Sequence, residues 1–361
     1  RSENGVSYIR SSAYVQDNVR VAKDVTIQGG LRADFFALID KFYLAPRLSA
    51  SYALDKQSTL RAAWGIYYQS PGYEKLFDAQ VFLDLTSTAV QNLKAERAMH
   101  TILGVDHMLS DEWQIKGEVY YKGFNDLILP QRTQGTVWTV ERLPGLADSV
   151  YRTRAGWSQP IATIGDSLTT TPVNSARGES YGLEIMLQKV ANAGENKLYG
   201  WVSYSLALAN RYQDGLTIPF NYDRRHNFNL VGGYKISDNV DMSVTFVYGT
   251  GFPWTRPSGI KPRVVLIKDT LTGTMVPRID TDWRGVIFDV DRGGLATINN
   301  GRLSDYHRLD IRFTTYARWF DMKWSFYLDV INVYNQKNVV AEQYRVDPET
   351  LTLTRKPQYM L

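Results

Sequence analysis

The sequence holds 361 residues, 13% of them aromatic, and its 41 Lys and Arg stand against 37 Asp and Glu for a net charge of +4. That balance excludes a nucleic-acid groove or an anionic-surface binder, and the absence of cysteine excludes a disulfide scaffold, a thiolate zinc site and a cysteine nucleophile. Mean hydropathy is −0.30, and no apolar run approaches the roughly 18 residues that a membrane helix needs. The length suits one large all-β domain or two ordinary ones. Nothing in residues 1–20 resembles a signal peptide, so the chain is expected to be a mature or truncated product, or cytosolic.

Taken in chain order, alternation bounded by turn residues predicts strands near 6–21, 25–38, 45–54, 58–70, 92–108, 112–128, 177–190, 197–210, 223–236, 240–252, 303–318 and 321–345, with a last one beginning near 351. Several exceed the roughly 5–6 residues of an ordinary strand and reach the about 9–11 that cross a bilayer at a tilt. Tight links recur at 22–24, 55–57, 110–112, 191–196, 237–239 and 318–321, and between them lie long ones at 71–91, 129–176, 211–222 and 253–302. This short and long alternation predicts an up-and-down meander with every long loop on one side, the layout of short periplasmic turns and long extracellular loops.

The strands read as two-faced. Leu60, Ala62, Trp64 and Ile66 oppose Arg61, Ala63 and Gly65; Leu309, Ile311 and Phe313 oppose Arg308, Asp310 and Arg312; after the turn, Trp324, Phe326 and Leu328 oppose Lys323, Ser325, Tyr327 and Asp329. In a soluble sheet the oily face would cover a core; in an outer-membrane barrel it meets lipid while the polar face lines a wet lumen. Glycines in the oily register would leave voids in a close-packed core, whereas lipid tails fill such gaps. Aromatics cluster at strand ends, as at Trp113 and at Trp319 with Phe320, which suits interfacial girdles. The reading is an all-β, antiparallel transmembrane barrel with Leu309, Ile311, Phe313, Trp324, Phe326 and Leu328 facing lipid, and Asp223, Arg225, Arg308, Asp310 and Arg312 in the lumen wall.

The stretches AYVQDNVRV (13–21), QGGLRADF (28–35), LRAAWGIYYQSP (60–71), NLKAERAMHTILGVDHML (92–109), EVYYKGFNDLI (118–128), GESYGLEIMLQK (178–189), FNYDRRHNFNLVGGYKI (220–236) and LDVINVYNQKN (328–338) resemble, in order and spacing, the C-terminal part of the barrel of TonB-dependent outer-membrane receptors. The resemblance implies about 12–13 strands of a probable 22-stranded plugged barrel, spanning 1–361 as one portion, with the plug and first strands absent, LDVINVYNQKN in the penultimate strand and the last strand beginning near Thr352. It also implies a Gram-negative outer-membrane location, outer-membrane lipid and a TonB-type energising protein as partners, the latter acting through the plug, and import of a substrate through the lumen. An open sheet in lipid leaves costly unpaired edges, so the missing strands are expected upstream of residue 1.

Ligand contact is expected from the long loops, at Arg132, Trp138, Arg142 and Trp157 in one and Trp254, Arg256, Arg263 and Trp283 in the other. Aromatics beside Arg suit sugars, peptides and anionic chelates, although the same residues also serve to pack loops against one another. The four histidines, His100, His107, His226 and His307, lack metal-ligand spacing, and no nucleophile or phosphate-loop motif appears, so neither a cofactor nor an enzymatic activity is expected. The alternative is a receptor-like scaffold whose loops hold a surface lipoprotein or another complex subunit.

Overall fold

The computed structural model describes residues 9–72, 83–84, 88–189 and 197–360. The expected tight link at 191–196 and most of the expected loop at 71–91 lie outside the described residues.

Strands β1 (Arg10–Ala22), β2 (Val25–Phe36), β3 (Lys41–Ala53), β4 (Ser58–Gln69), β5 (Glu96–Met108), β6 (Trp113–Thr139), β7 (Ile161–Lys189) and β8 (Leu198–Gln213) pair antiparallel, each with the next. The short β9 (Leu216–Pro219) folds back on β8, and the meander resumes through β10 (His226–Ser237) and β11 (Val240–Gly249). Eight short strands follow: β12 (Pro253–Trp254), β13 (Gly259–Pro262), β14 (Val264–Lys268), β15 (Met275–Ile279), β16 (Thr281–Asp282), β17 (Gly285–Val286), β18 (Phe288–Asp291) and β19 (Gly301–Arg302). They form two-stranded pairs, β12 with β19, β13 with β18, β14 with β15 and β16 with β17. The wall then takes up β20 (Tyr306–Trp319) and β21 (Met322–Val330), while β22 (Asn338–Asp347) and β23 (Thr352–Met360) pair only with each other.

The register turns alternation into continuous rows. Val19, Ile27, Ala50, Ala62, Leu103, Val119, Leu183 and Leu206 are successive partners across the wall. The neighbouring row on the opposite face reads Arg20, Thr26, Ser51, Arg61, Gly104, Glu118, Glu184 and Ser205. Because the side-chain period is two, a slip of one residue would exchange these faces throughout. The apolar face is left bare: Leu103 is 56% exposed, Val119 49%, Leu48 53% and Phe326 45%. Such a face is costly in water at roughly 25 cal/mol per Å² of apolar surface. At about 3.3 Å per residue and a tilt near 40°, the 14 residues of β20 rise about 35 Å, enough to cross an apolar band about 25 Å tall.

Several expectations need correction. The stretch 129–176 is largely strand: β6 and β7 continue far past the wall as one hairpin, with register shifts between Phe124 and Leu127 and between Pro130 and Arg132, leaving only 140–160 as connection. Residues 211–222 hold the end of β8, a turn at Asp214 and Gly215 in the left-handed region, and β9. The strand expected from 223 starts at His226, so Asp223 and Arg225 lie in the turn before it. The strand expected over 321–345 is broken, because Asn332 and Asn335 adopt positive φ and the Asn332 carboxamide bonds both the N–H and the carbonyl of Gln336. The strand expected from 351 is β23, which belongs to the β22–β23 hairpin and does not extend the wall.

Three stretches, 140–160, 253–302 and the β22–β23 hairpin, meet in a layer of their own beyond the long-loop end of the wall. Its core joins Ile279, Val286 and Phe288 with Val140, Trp157, Ile260, Val346 and Leu351. The layer is referred to below as the canopy.

Candidate functional site

The polar face of the wall carries ion pairs within and between strands. Arg61 on β4 donates to Asp106 on β5 at 2.7 Å and to Glu118 on β6 at 3.0 Å. Arg312 on β20 donates to Asp329 on β21 at 2.9 Å, and Arg308 pairs with Asp310 at 2.9 Å. Asp310 also accepts the Asn332 N–H at 2.8 Å, so the expected wall charges fasten the turn that ends β21. Two clefts open on this face. One, about 420 Å³, is lined by Gln28, Ser51, Arg61 and Glu118; the other, about 440 Å³, by Lys116, Glu184, Trp201 and Asn229. Glu118 and Glu184 are direct cross-strand partners, a like-charge pairing that is unfavourable unless a cation lies near; Arg61 supplies one for Glu118.

The apolar face bears no such pairs along β20 and β21. Leu309, Ile311 and Phe313 share it with Trp324, Phe326 and Leu328, as the register Phe313 to Leu328 requires. At the tight turn Trp319, Trp324 and Phe326 form an aromatic cluster with centroids 5.9 to 6.4 Å apart. Phe320 and Asp321 both take positive φ there, which closes the hairpin in two residues.

The expected loop contacts are placed as follows. Arg132 and Trp138 stand on the β6 extension, where Arg132 pairs with Asp166 across the hairpin and with Asp214 at 3.1 Å. Arg142 lies over the Tyr151 ring at 3.7 Å and pairs with Asp148 at 2.8 Å. Trp157 packs edge-on against Tyr151 and Phe288, and its Nε1 donates to the Tyr151 carbonyl at 2.8 Å. Trp254 stacks on Tyr344 of β22 at 5.5 Å. The Arg256 backbone N–H is held by Asn300 at 3.0 Å. Arg263 pairs with Asp289 at 2.6 Å, and that hydrogen bond raises its pKa further. Trp283 projects 85% exposed, with Arg284 over its ring at 4.4 Å. Canopy cohesion therefore engages the side chains of Arg142, Trp157, Trp254 and Arg263, and Trp283 offers an open ring.

Sequence reasoning missed the joints. Asp223, only 3% exposed, accepts the Ala209 N–H at 2.9 Å and pairs with Arg302, tying β8 to the end of the 253–302 excursion. The Asn338 carboxamide makes two 3.0 Å bonds to the His307 backbone, fixing β22 to the top of β20. Gly251 passes so close to Leu303 that a Cβ there would lie 1.7 Å from its carbonyl oxygen. Of these residues only Asp223 stands out in the sequence, as an expected wall charge. Among the described residues no group of His, Cys, Asp and Glu is placed to hold a metal ion.

The family model described as TonB dependent receptor-like, beta-barrel matches residues 2–333. No curated protein sequence matches the chain. Among solved structures, the chain is similar to the siderophore receptor PirA from Acinetobacter baumannii, with a TM-score of 0.57 and 15% identity over 91% of this chain and 42% of that one. It is also similar to an outer membrane transporter, YddB, from Escherichia coli (TM-score 0.55, 10% identity, 96% of this chain and 43% of that one). A third is the FrpB iron transporter from Neisseria meningitidis (TM-score 0.53, 15% identity, 91% and 41%). At these identities the likeness is one of fold, and the chain spans about two fifths of the length of each.

Proposed function

The chain belongs to the TonB dependent receptor-like, beta-barrel family, and on that premise we propose that residues 1–361 supply part of the wall, the mouth and the canopy of an outer-membrane active transporter. The reading rests chiefly on one observation: the wall bares its apolar rows and pairs its charges on the other face. Lipid takes the first face and a wet lumen the second, because in a bilayer the apolar side of a strand is the outer side. Arg308, Asp310 and Arg312 then line the lumen, and Leu309, Ile311 and Phe313 meet hydrocarbon. The tight turns stand at the periplasmic end and the canopy faces the outside of a Gram-negative cell. Substrate binds at the canopy and passes through the lumen when a TonB-type protein delivers energy to a plug.

The named activities of the siderophore receptor and the iron transporter favour a metal chelate as cargo. No catalysis is assigned to the chain. The test is deletion of residues 254–302 from the full receptor. Barrel assembly, read as heat-modifiable migration, is expected to persist while uptake of the cognate chelate is lost; unchanged uptake would contradict the reading.

A second reading, a surface scaffold for another protein, is favoured by the exposure of Leu271 (95%) and Trp283 (85%), since exposed apolar side chains on protruding loops mark contact sites. It predicts that the intact receptor supports no uptake of its own and that the same deletion releases a co-purifying partner.

A further inference from the structure

The stretch before β10 holds a guanidinium, that of Arg224, with no ion-pair partner within 4.0 Å among the described residues. The Arg224 Cζ lies 4.1 Å from the centroid of Phe252 and 5.6 Å from that of Tyr306, and its Nε is buried with no hydrogen-bond partner. Arg61, Arg97, Arg132, Arg211 and Arg308 also bury an unbonded Nε; Arg61, Arg132 and Arg308 are ion-paired, and among the described residues none of the five lies against two aromatic rings as Arg224 does. Arg224 makes no ion pair among the described residues. The nearby carboxylates are occupied elsewhere. Asp223 serves the Ala209 N–H, Arg302 and, at 3.9 Å, Arg225; Asp305 accepts from the Tyr248 hydroxyl at 2.7 Å and from the Gly251 N–H at 3.1 Å.

Ring faces stabilise a cation through their quadrupole, but the guanidinium N–H groups lie in its own plane and need an acceptor there. Burial pushes the Arg224 pKa down, with Tyr306 and Asp305 opposing the shift. The side chain reaches this place because Gly249 has none: a Cβ at Gly249 would stand 2.6 to 2.8 Å from the Arg224 Cδ, Nε and Nη1. Gly249 pairs with Tyr306 and Asn227 in the polar register of the wall, so Arg224 lies on the face that carries the clefts.

We propose that Arg224 is an oxyanion contact at the mouth of the barrel, holding a carboxylate- or phosphate-bearing small molecule by its in-plane donors. The match is chemical, because a planar guanidinium fork fits two oxygens of either group. The site rests on the transport reading only in that its ligand enters from outside, and its binding is measurable without uptake.

The experiment titrates citrate and, separately, inorganic phosphate into the purified full-length receptor in detergent, followed by calorimetry. Saturable binding of one of them to the wild type is expected, and which one identifies the source of the oxyanion. Arg224→Gln and Arg224→Lys should each weaken it about tenfold or more, since Lys keeps the charge and loses the fork. Gly249→Ala, which leaves every arginine in place, should weaken it as well. If Arg224→Gln does not assemble, Gly249→Ala decides. No saturable binding of either anion to the wild type, or undiminished binding in the variants, would overturn the proposal. Absent uptake with intact anion binding would count against transport and leave this site standing.

Discussion

The wall and the canopy are made from one chain but bury their apolar groups in opposite senses. Along β4 to β6 the large side chains Leu60, Trp64, Leu103 and Val119 point away from the protein and are 39% to 56% exposed. In the canopy Ile279, Val286 and Phe288 are at most 9% exposed and are packed by Trp157, Val346 and Leu351. The difference shows which solvent each region answers to. The canopy is organised like a small water-soluble domain, with apolar residues inside and paired charges such as Arg263 with Asp289 at its surface. On the proposed transport reading the wall reverses this because lipid takes the place of water outside, where backbone groups must be satisfied strand to strand.

The joint between the regions offers the largest expected effect. Asp223→Ala would leave Arg302 without its buried partner and remove the acceptor of the Ala209 N–H. Breaking a buried pair costs about 3–5 kcal/mol, so hydrogen exchange at the Ala209 amide should accelerate sharply while the wall stays assembled. Protection equal to wild type would show that the two regions are not joined there.

Next comes the inversion itself. Ile311→Arg places a charge on the apolar face at a cost of about 2–4 kcal/mol toward the bilayer midplane and should lower the urea midpoint of the receptor in liposomes. Arg308→Ser, one step from Asp310 on the polar face, should leave that midpoint within about 0.5 kcal/mol of its starting value. A soluble-type core would give the reverse ranking.

Trp157→Ala should have the smallest and most local effect. Its ring touches Tyr151 and Phe288 and is half-buried, so about 2 kcal/mol is expected, below the 3–5 of a fully buried aromatic. The canopy should become protease-sensitive with heat-modifiable migration unchanged.

How much of this could be read in advance follows the same division. In the wall, alternation over ten or more residues fixes both the strand and its two faces, and the odd and even sets at 308–313 and 322–330 stand in the structure where periodicity placed them on opposite faces. The canopy was opaque. Its strands from β12 to β19 are two to five residues long, too short for any period to register, and their partners lie up to about fifty positions away, as Pro253 does from Arg302. The β6–β7 extension reads as loop because Gly, Thr and Pro at 130–136 and 165–172 are breakers; register shifts absorb the irregularity, and the long hairpin carries on. Residues 351–360 do form a strand, but local pattern carries no information about which neighbour it joins. Of the candidate contacts, the Arg and Trp types were visible and their engagement with Asp148, Asp166, Asp289 and Tyr344 was not, since each pairing is set by the tertiary fold.

The central claim is that the wall is inside-out, and it is tested most directly by spin labels on β20. Residues 1–361 contain no cysteine, so single cysteine replacements at Arg308, Leu309, Asp310, Ile311, Arg312 and Phe313 can be labelled one at a time in a reconstituted receptor cleared of any cysteine elsewhere. The account predicts alternation with period two: labels at 309, 311 and 313 collide chiefly with lipid-dissolved oxygen, and those at 308, 310 and 312 with a water-soluble nickel chelate. The opposite phase, or accessibility without alternation, would contradict it.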